Sequence, residues 1–179
     1  MPHPAPHHRR NGGPAVSDYG MNLQVIDEED RVIDTLPSKE IHERGLLHRA
    51  MHAIVQNHSG QFYVRKRSPA LELYPGVWTS SVGEHVFVGE SYDDTAKRAT
   101  KEFLGLEVPL DPMGKTRVHD EIENELVAVY AAQADRIPDL NPEHSEAGKF
   151  MTLAKLEQLV EQRLTTPHLS AAVGLLTSI

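Results

Sequence analysis

The chain has 179 residues and not one of them is cysteine. Disulfides, thiolate zinc sites and a cysteine nucleophile are therefore excluded by composition. No apolar run approaches the roughly 20 residues that cross a bilayer, and nothing resembles a secretion signal. The formal net charge of -8 argues against binding to nucleic acid, because phosphates carry charge of the same sign. We expect a cytoplasmic protein with no membrane or nucleic-acid partner; the choice between monomer and homodimer stays open.

The first 20 residues are rich in proline, glycine, histidine and arginine and show no hydrophobic periodicity. Such a segment lacks an apolar face to bury, so residues 1–20 are predicted to form a flexible tail. Its His3, His7 and His8 offer metal ligands, but a disordered tail is the simpler interpretation. Residues 21–179 are predicted to form a single domain, since the chain is long enough for one core and short for two.

Strand patterns come first along the chain. Residues 21–36 and 47–68 each read as two strands around a turn, and residues 124–133 read as another strand. Helical spacing follows in residues 91–106 and 152–164, and a final short helix is expected after Pro167. This order predicts an α+β fold, with a mixed β-sheet between layers of helices.

The helix predicted over residues 91–106 has several independent signs. Ser91 can cap its amino end, Asp93 and Asp94 complement the helix dipole, and Gly105 can end it. One face is formed by small and apolar residues, namely Ala96, Ala99, Thr100 and Phe103.

Acidic residues surround this helix. Glu90 precedes it and Glu102 lies within it, and carboxylates of this kind can hold the divalent metal that neutralises a diphosphate. Arg98 could hold the loop by pairing with Glu90. The alternative is an ordinary amphipathic helix whose charges face solvent.

Residues 83–106 resemble the signature of the Nudix superfamily. Gly89 with Glu90, Arg98, Glu102 and Gly105 match that motif as they stand. Three positions depart from it, since Glu84, Ala99 and Phe103 stand where the motif has glycine, glutamate and glutamate. The resemblance implies an α/β/α sandwich that handles a small organic diphosphate with Mg²⁺ or Mn²⁺, although two usual helix ligands for the metal are missing.

The flanking sequence is similar to one Nudix branch, the type I isopentenyl-diphosphate isomerases, from about Asn22 to the last helix. That branch holds a metal with three histidines and two glutamates. The ligands implied for this chain are His42, His48, His85, Glu123 and Glu125. Imidazole and carboxylate together also suit Zn²⁺. His42 is the weakest match, because its interval to His48 is one residue shorter than in the isomerases. The alternative is that these residues, and His52 with them, are half-buried or loop side chains without a metal.

The isomerase resemblance fails at the catalytic cysteine, whose position is Gly83 here. Glycine cannot exchange a proton, and loss of an acid–base partner typically costs on the order of 10²–10⁴ in rate. The catalytic glutamate is retained as Glu125. A lysine usual in the isomerases corresponds to Leu71, and an aromatic residue near the final helix corresponds to His168.

These considerations leave three hypotheses about function. The first is a metal-dependent hydrolase of a nucleotide, sugar or isoprenyl diphosphate; the others are an isomerase-like protein with altered or residual activity and a non-catalytic binding module. The catalytic candidates are Glu125, Glu102, Glu90 and Glu84, and Glu90 and Glu102 are also candidate ligands of a second metal. Glu84 is expected to reach the metal or its water, unless it simply faces solvent. Candidate substrate-binding residues are Arg67, Lys66, Trp78 and Arg98.

Overall fold

A computed structural model describes residues 20–137 and 147–177. The predicted tail lies outside the described residues except for Gly20, and the single domain over residues 21–179 stays a prediction. The strands of the described part are β1 Asn22–Ile26, β2 Val32–Pro37, β3 His48–Gln56, β4 Phe62–Lys66, β5 Trp78–Thr79, β6 Val82–His85, β7 Leu110–His119, β8 Asn124–Gln133 and β9 Ala147–Met151. The helices are α1 Ser38–Arg44, α2 Tyr92–Leu104, α3 Leu153–Glu161 and α4 Pro167–Thr177.

Strand β3 lies at the centre of the sheet. It runs parallel to β8, pairing His48 with Glu125 and continuing to Gln56 with Gln133. It is antiparallel to β1, β4 and β6. The sheet is therefore mixed, as the sequence predicts, and the parallel pair brings the first residues of β3 and β8 side by side.

Helices cover both faces of the sheet. Met51 of β3 packs in one core with Ala99 and Phe103 of α2. Ile54 of the same strand packs in the opposite core with residues of α3 and α4, including Leu156. Since alternate residues of a strand point to opposite faces, β3 serves both cores. The α+β, α/β/α sandwich predicted from the sequence is confirmed.

Helix α2 begins and ends where its sequence indicates. The Ser91 hydroxyl accepts a hydrogen bond from the Asp94 amide, and the Asp94 carboxylate accepts one from the Ser91 amide. Gly105 ends the helix in the left-handed conformation, with φ 68°. The predicted buried face is confirmed as well, because Ala96, Ala99, Thr100 and Phe103 are all buried.

Five elements have no counterpart in the sequence prediction, namely α1, β5, β6, β7 and β9. Helix α1 is short and is held by Ile41, which is fully buried against Leu23 and Phe87. This packing fixes the backbone of the neighbouring His42. Within the described ranges, no helix combines the length and the apolar character that crossing a membrane requires.

Candidate active site

The five residues implied as metal ligands come from four parts of the fold and meet at one end of the sheet. His48 and Glu125 are register partners at the start of β3 and β8. His85 ends β6, and His42 lies in α1. Glu123 immediately precedes β8, two residues from Glu125, so both carboxylates lie on the same side of that strand.

The distances between these side chains suit a shared ion. One ligand atom from each of His42, His48, His85 and Glu123 lies within 4.8 Å of the others. The Oε2 atom of Glu125 lies 3.4 Å from Nε2 of His48 and 3.3 Å from Nε2 of His85. The structure thus brings all five predicted residues together.

Backbone carbonyls orient two of the three imidazoles. Nδ1 of His42 lies 2.8 Å from the Ser38 oxygen, and Nδ1 of His48 lies 2.9 Å from the Leu46 oxygen. A carbonyl only accepts, so each Nδ1 carries the hydrogen and each Nε2 presents its lone pair to the cluster. Both oxygens of Glu123 are buried and have no hydrogen-bond partner among the described residues. This donor set fits a divalent cation such as Mn²⁺ or Zn²⁺.

Burial controls the charge of these groups. Burial, with the nearby His85 and His48, lowers the pKa of His42 to about 4, so this imidazole is neutral at neutral pH. Burial and the neighbouring Glu125 carboxylate raise the pKa of Glu123 well above its usual range. Burial alone would also raise the pKa of Glu125, but the hydrogen bond with His168 and the nearby His48 and His85 rings hold it well below that range. A bound cation would favour the ionised form of both carboxyl groups.

A second cluster surrounds Arg98 of α2. Its guanidinium binds Glu90 through Nε at 2.6 Å and Nη2 at 3.0 Å. Its Nη1 lies 3.3 Å from Glu84 and 3.4 Å from Glu102. The guanidinium also stacks on Phe87, 4.3 Å from the ring centroid. The expected Arg98–Glu90 pair is present. The carboxylates of Glu84, Glu90 and Glu102 together surround the guanidinium of Arg98.

The two clusters lie on opposite sides of β6. Glu84 and His85 are consecutive residues of that strand, so their side chains point to opposite faces. Glu84 accepts a hydrogen bond from the His85 amide and faces Arg98. The structure thus places Glu84, Glu90 and Glu102 together, apart from the histidine cluster. A role for Glu84 at the metal stays a prediction.

The candidate substrate-binding residues are dispersed. Arg67 is buried and donates to the backbone oxygens of Leu73 (2.8 Å, from Nη2) and Tyr74 (3.2 Å, from Nε), so it braces the loop before β5. Lys66 and Trp78 are register partners across β4 and β5. Arg98 lies on α2, outside this pair of strands, and the binding roles of all four residues stay predictions.

A pair of buried histidines was missed as part of the site. The rings of His52 and His168 stack with centroids 4.4 Å apart and planes 12° apart. Nε2 of His168 lies 2.6 Å from Oε1 of Glu125, and Nδ1 of His52 lies 2.5 Å from the Ser80 hydroxyl. Burial and the neighbouring His168 lower the pKa of His52 well below its usual range, so it is neutral. The spacing of His48 and His52 indicates that these two residues share a face of the strand, but it does not point to His168.

Gly83, at the position of the isomerase cysteine, lies directly against His52. A Cβ atom added there would come within 2.3 Å of Cε1, 2.7 Å of Nε2 and 2.8 Å of Nδ1 of the His52 ring. The His52 ring therefore fills the space that any side chain at position 83 would need.

A cavity of about 460 Å³ lies on the outer side of α2. Its walls include Lys97, Arg98 and Lys101 of the helix and Val108 and Leu110 of the following segment. The cavity therefore borders the Arg98 cluster and is separate from the histidines; Trp78, a candidate substrate-binding residue, is not among its lining residues.

Known proteins resemble this chain in sequence and in fold. A Nudix hydrolase of Pseudomonas aeruginosa, described as uncharacterized, is 32% identical over 86% of this chain and 89% of its own length. Isopentenyl-diphosphate Delta-isomerase 2 of Photorhabdus laumondii is 29% identical over 77% of this chain and 81% of its own. The crystal structure of a Deinococcus radiodurans protein matches with TM-score 0.70 and 24% identity, covering 85% of this chain and 96% of that one. Residues 46–171 match the NUDIX domain, and the chain therefore belongs to the Nudix family.

Proposed function

We propose that the protein is a divalent-metal-dependent hydrolase that cleaves a small organic diphosphate of the nucleotide, sugar or isoprenyl type. The observation that carries the proposal is the His42, His48, His85 and Glu123 group, whose ligand atoms lie within 4.8 Å of one another. Buried imidazoles and carboxylates arranged in this way are typical of metal sites. The family supports the reaction class, because relatives of this chain are described as Nudix hydrolases.

In this proposal the three histidines, Glu123 and Glu125 would hold the cation, which would supply positive charge for the diphosphate. Glu90 and Glu102 are the candidate ligands of a second ion. Water attacks phosphorus, a P–O bond to the leaving phosphate breaks, and Glu102 or Glu125 accepts the proton that water loses. Lys66 is a candidate cationic group for phosphate; Arg67, the other candidate, would have to exchange its hydrogen bonds to the Leu73 and Tyr74 oxygens for it.

A phosphorus NMR time course tests this assignment. The protein is mixed with Mg²⁺ or Mn²⁺ and, in turn, with an isoprenyl, a nucleotide and a sugar diphosphate. We expect new phosphate resonances with one class and their loss in Glu102→Gln and Glu123→Gln. Glu157→Gln is the matched control, since Glu157 is exposed on α3. Spectra without new phosphate resonances for every substrate and both metals contradict the hydrolase and leave the isomerase-like protein and the binding module.

An isomerase-like activity is the second candidate. It is favoured by the relatives described as isopentenyl-diphosphate isomerases and by the presence of Glu125 at the position of their catalytic glutamate. It is opposed by Gly83, whose place against His52 leaves no room for a side chain that could move a proton. Proton NMR with isopentenyl diphosphate separates the two functions, because isomerisation moves the double bond and releases no phosphate.

A further inference from the structure

Glu125 is held from two sides by different groups. Its Oε2 faces His48 and His85 of the metal cluster, at 3.4 and 3.3 Å. Its Oε1 faces away from them and lies 2.6 Å from Nε2 of His168 on α4. A carboxylate that ligates a cation can only accept, so Nε2 of His168 would carry the hydrogen of this contact.

His168 is in turn fixed by its packing. Its ring is 1% exposed and stacks on His52, which is anchored to the Ser80 hydroxyl. Gly83 lies on His52 and has no side chain that would displace it. Three elements, β3, β6 and α4, therefore combine to hold one imidazole against one oxygen of Glu125.

We propose that His168 is a positioning residue for the metal centre and that the stacked His52 ring keeps it in place. Gly83 leaves the space that the His52 ring needs. His168 occupies Oε1 of Glu125 and so directs Oε2 alone to the cation. Hydrogen-bonded neighbours of metal ligands set ligand orientation in this way, and losing one typically weakens metal affinity about 10–100-fold. This inference rests on the metal site of the proposed function but does not require that the protein hydrolyses anything.

The test compares two substitutions of His168 in metal binding. His168→Gln retains an N–H donor at nearly the reach of Nε2, whereas His168→Phe retains an aromatic ring for the stack and loses the donor. Zn²⁺ and Mn²⁺ affinities of the chelator-treated protein are measured by calorimetry, and the visible spectrum of the Co²⁺ form reports the ligand geometry. His58→Phe is the matched control, because His58 is exposed in the turn between β3 and β4.

We expect His168→Phe to weaken metal binding about 10–100-fold and to change the Co²⁺ spectrum. We expect His168→Gln to stay within a few-fold of the unsubstituted protein, and His58→Phe to match it. His52→Ala should weaken binding on its own and have no further effect in the His168→Phe background, because it acts through His168. If the pair had only a structural role, thermal stability would fall in His168→Phe, His168→Gln and His52→Ala alike, and His168→Gln would not retain the metal affinity. That pattern would contradict the proposal.

Equal metal affinity and an unchanged Co²⁺ spectrum in His168→Phe would overturn the proposal. So would the absence of metal binding in the unsubstituted protein, which would remove the metal site as well. Metal binding that depends on His168 without any diphosphate hydrolysis would support the inference and contradict the proposed function. If His168→Phe does not fold, nitrogen-detected histidine NMR of the unsubstituted Zn²⁺ protein decides, because a proton on Nδ1 rather than Nε2 of His168 contradicts the proposal.

Discussion

Gly83→Ala is expected to destabilise the protein strongly, although it adds a single methyl group. The added Cβ would lie 2.3 Å from Cε1 of His52, and all three ring atoms nearest to it lie closer than 3.0 Å. The ring has little room to retreat, because it is 2% exposed, is bound to Ser80 and stacks on His168. Overpacking in a dense core costs about 1–3 kcal/mol, and we expect the upper end of that range here.

The double substitution distinguishes this clash from a general intolerance of alanine at position 83. His52→Ala alone should cost about 2–3 kcal/mol, since it leaves a cavity where a buried ring packed. It also removes the atoms that the methyl group meets. The combined variant should therefore be more stable than the sum of the two single effects predicts, by about 2–3 kcal/mol.

Urea denaturation gives the free energy of unfolding of the unsubstituted protein, the two single variants and the double variant. Fluorescence of the single tryptophan, Trp78, and circular dichroism serve as independent probes. Gly174→Ala is the matched control, because nothing lies within 4 Å of a Cβ added there on α4. It should stabilise the protein by about 0.5–1 kcal/mol. Additivity of Gly83→Ala and His52→Ala to within about 0.5 kcal/mol would refute the reasoning.

Further predictions concern the regions around this site. Arg98→Gln should lower the free energy of unfolding by about 2–3 kcal/mol in urea denaturation, because it leaves like charges together in a half-buried site, whereas Arg31→Gln at an exposed pair should leave the midpoint nearly unchanged. Burial alone would raise the pKa of Asp30, but hydrogen bonds from Lys115, Arg49 and Tyr92 lower it below its usual 3.8. The ionised Asp30 carboxylate therefore stabilises the fold above pH 3.8, and this stabilisation is lost as the pH falls below that value. Asp30→Asn should cost about 2 kcal/mol near neutral pH and less in acid. A cost independent of pH would contradict this. Ser91→Ala should lower the free energy of unfolding by about 1 kcal/mol through loss of the capping box, and an unchanged midpoint would show that the cap is dispensable.

Elements with strong local signals could be predicted from the sequence. Strand β8 matches the predicted residues 124–133, and α2 has its cap, buried face and terminal glycine where the pattern indicates. Strand β7 escaped prediction because Pro112 and Gly114 interrupt it and few of its side chains are buried. Helix α1 escaped because it is a single short element held by tertiary packing of Ile41 rather than by a capping signal.

Some features of the candidate site could likewise be predicted from the sequence, and others could not. The candidate ligands could be named from the sequence because the resemblance supplied their positions and because Glu123 and Glu125 are two residues apart, which places them on one side of a strand. Glu84 is separated from the histidines because successive side chains of a strand point to opposite faces. To predict this, one must know that Glu84 and His85 belong to a strand, and the four residues of β6 carry too weak a pattern to show it. Arg98 could be paired with Glu90 from sequence, whereas its contacts to Glu84 and Glu102 depend on how β6 packs on α2.

The contact between His52 and His168 could not be predicted from the sequence, for a different reason. Each residue taken alone is an ordinary histidine in a strand or near a helix start, and Gly83 taken alone is the loss of a catalytic side chain. The fold makes them one unit, because the register opposes His52 to Gly83 and α4 lays His168 on the same ring. A side chain at position 83 and the ring at position 52 would occupy the same volume, so the His52 ring requires glycine at position 83. A glycine at the position of the isomerase cysteine therefore does not by itself indicate a site that has decayed, because here the space beside its backbone is filled by a ring that stacks on the hydrogen-bond partner of Glu125.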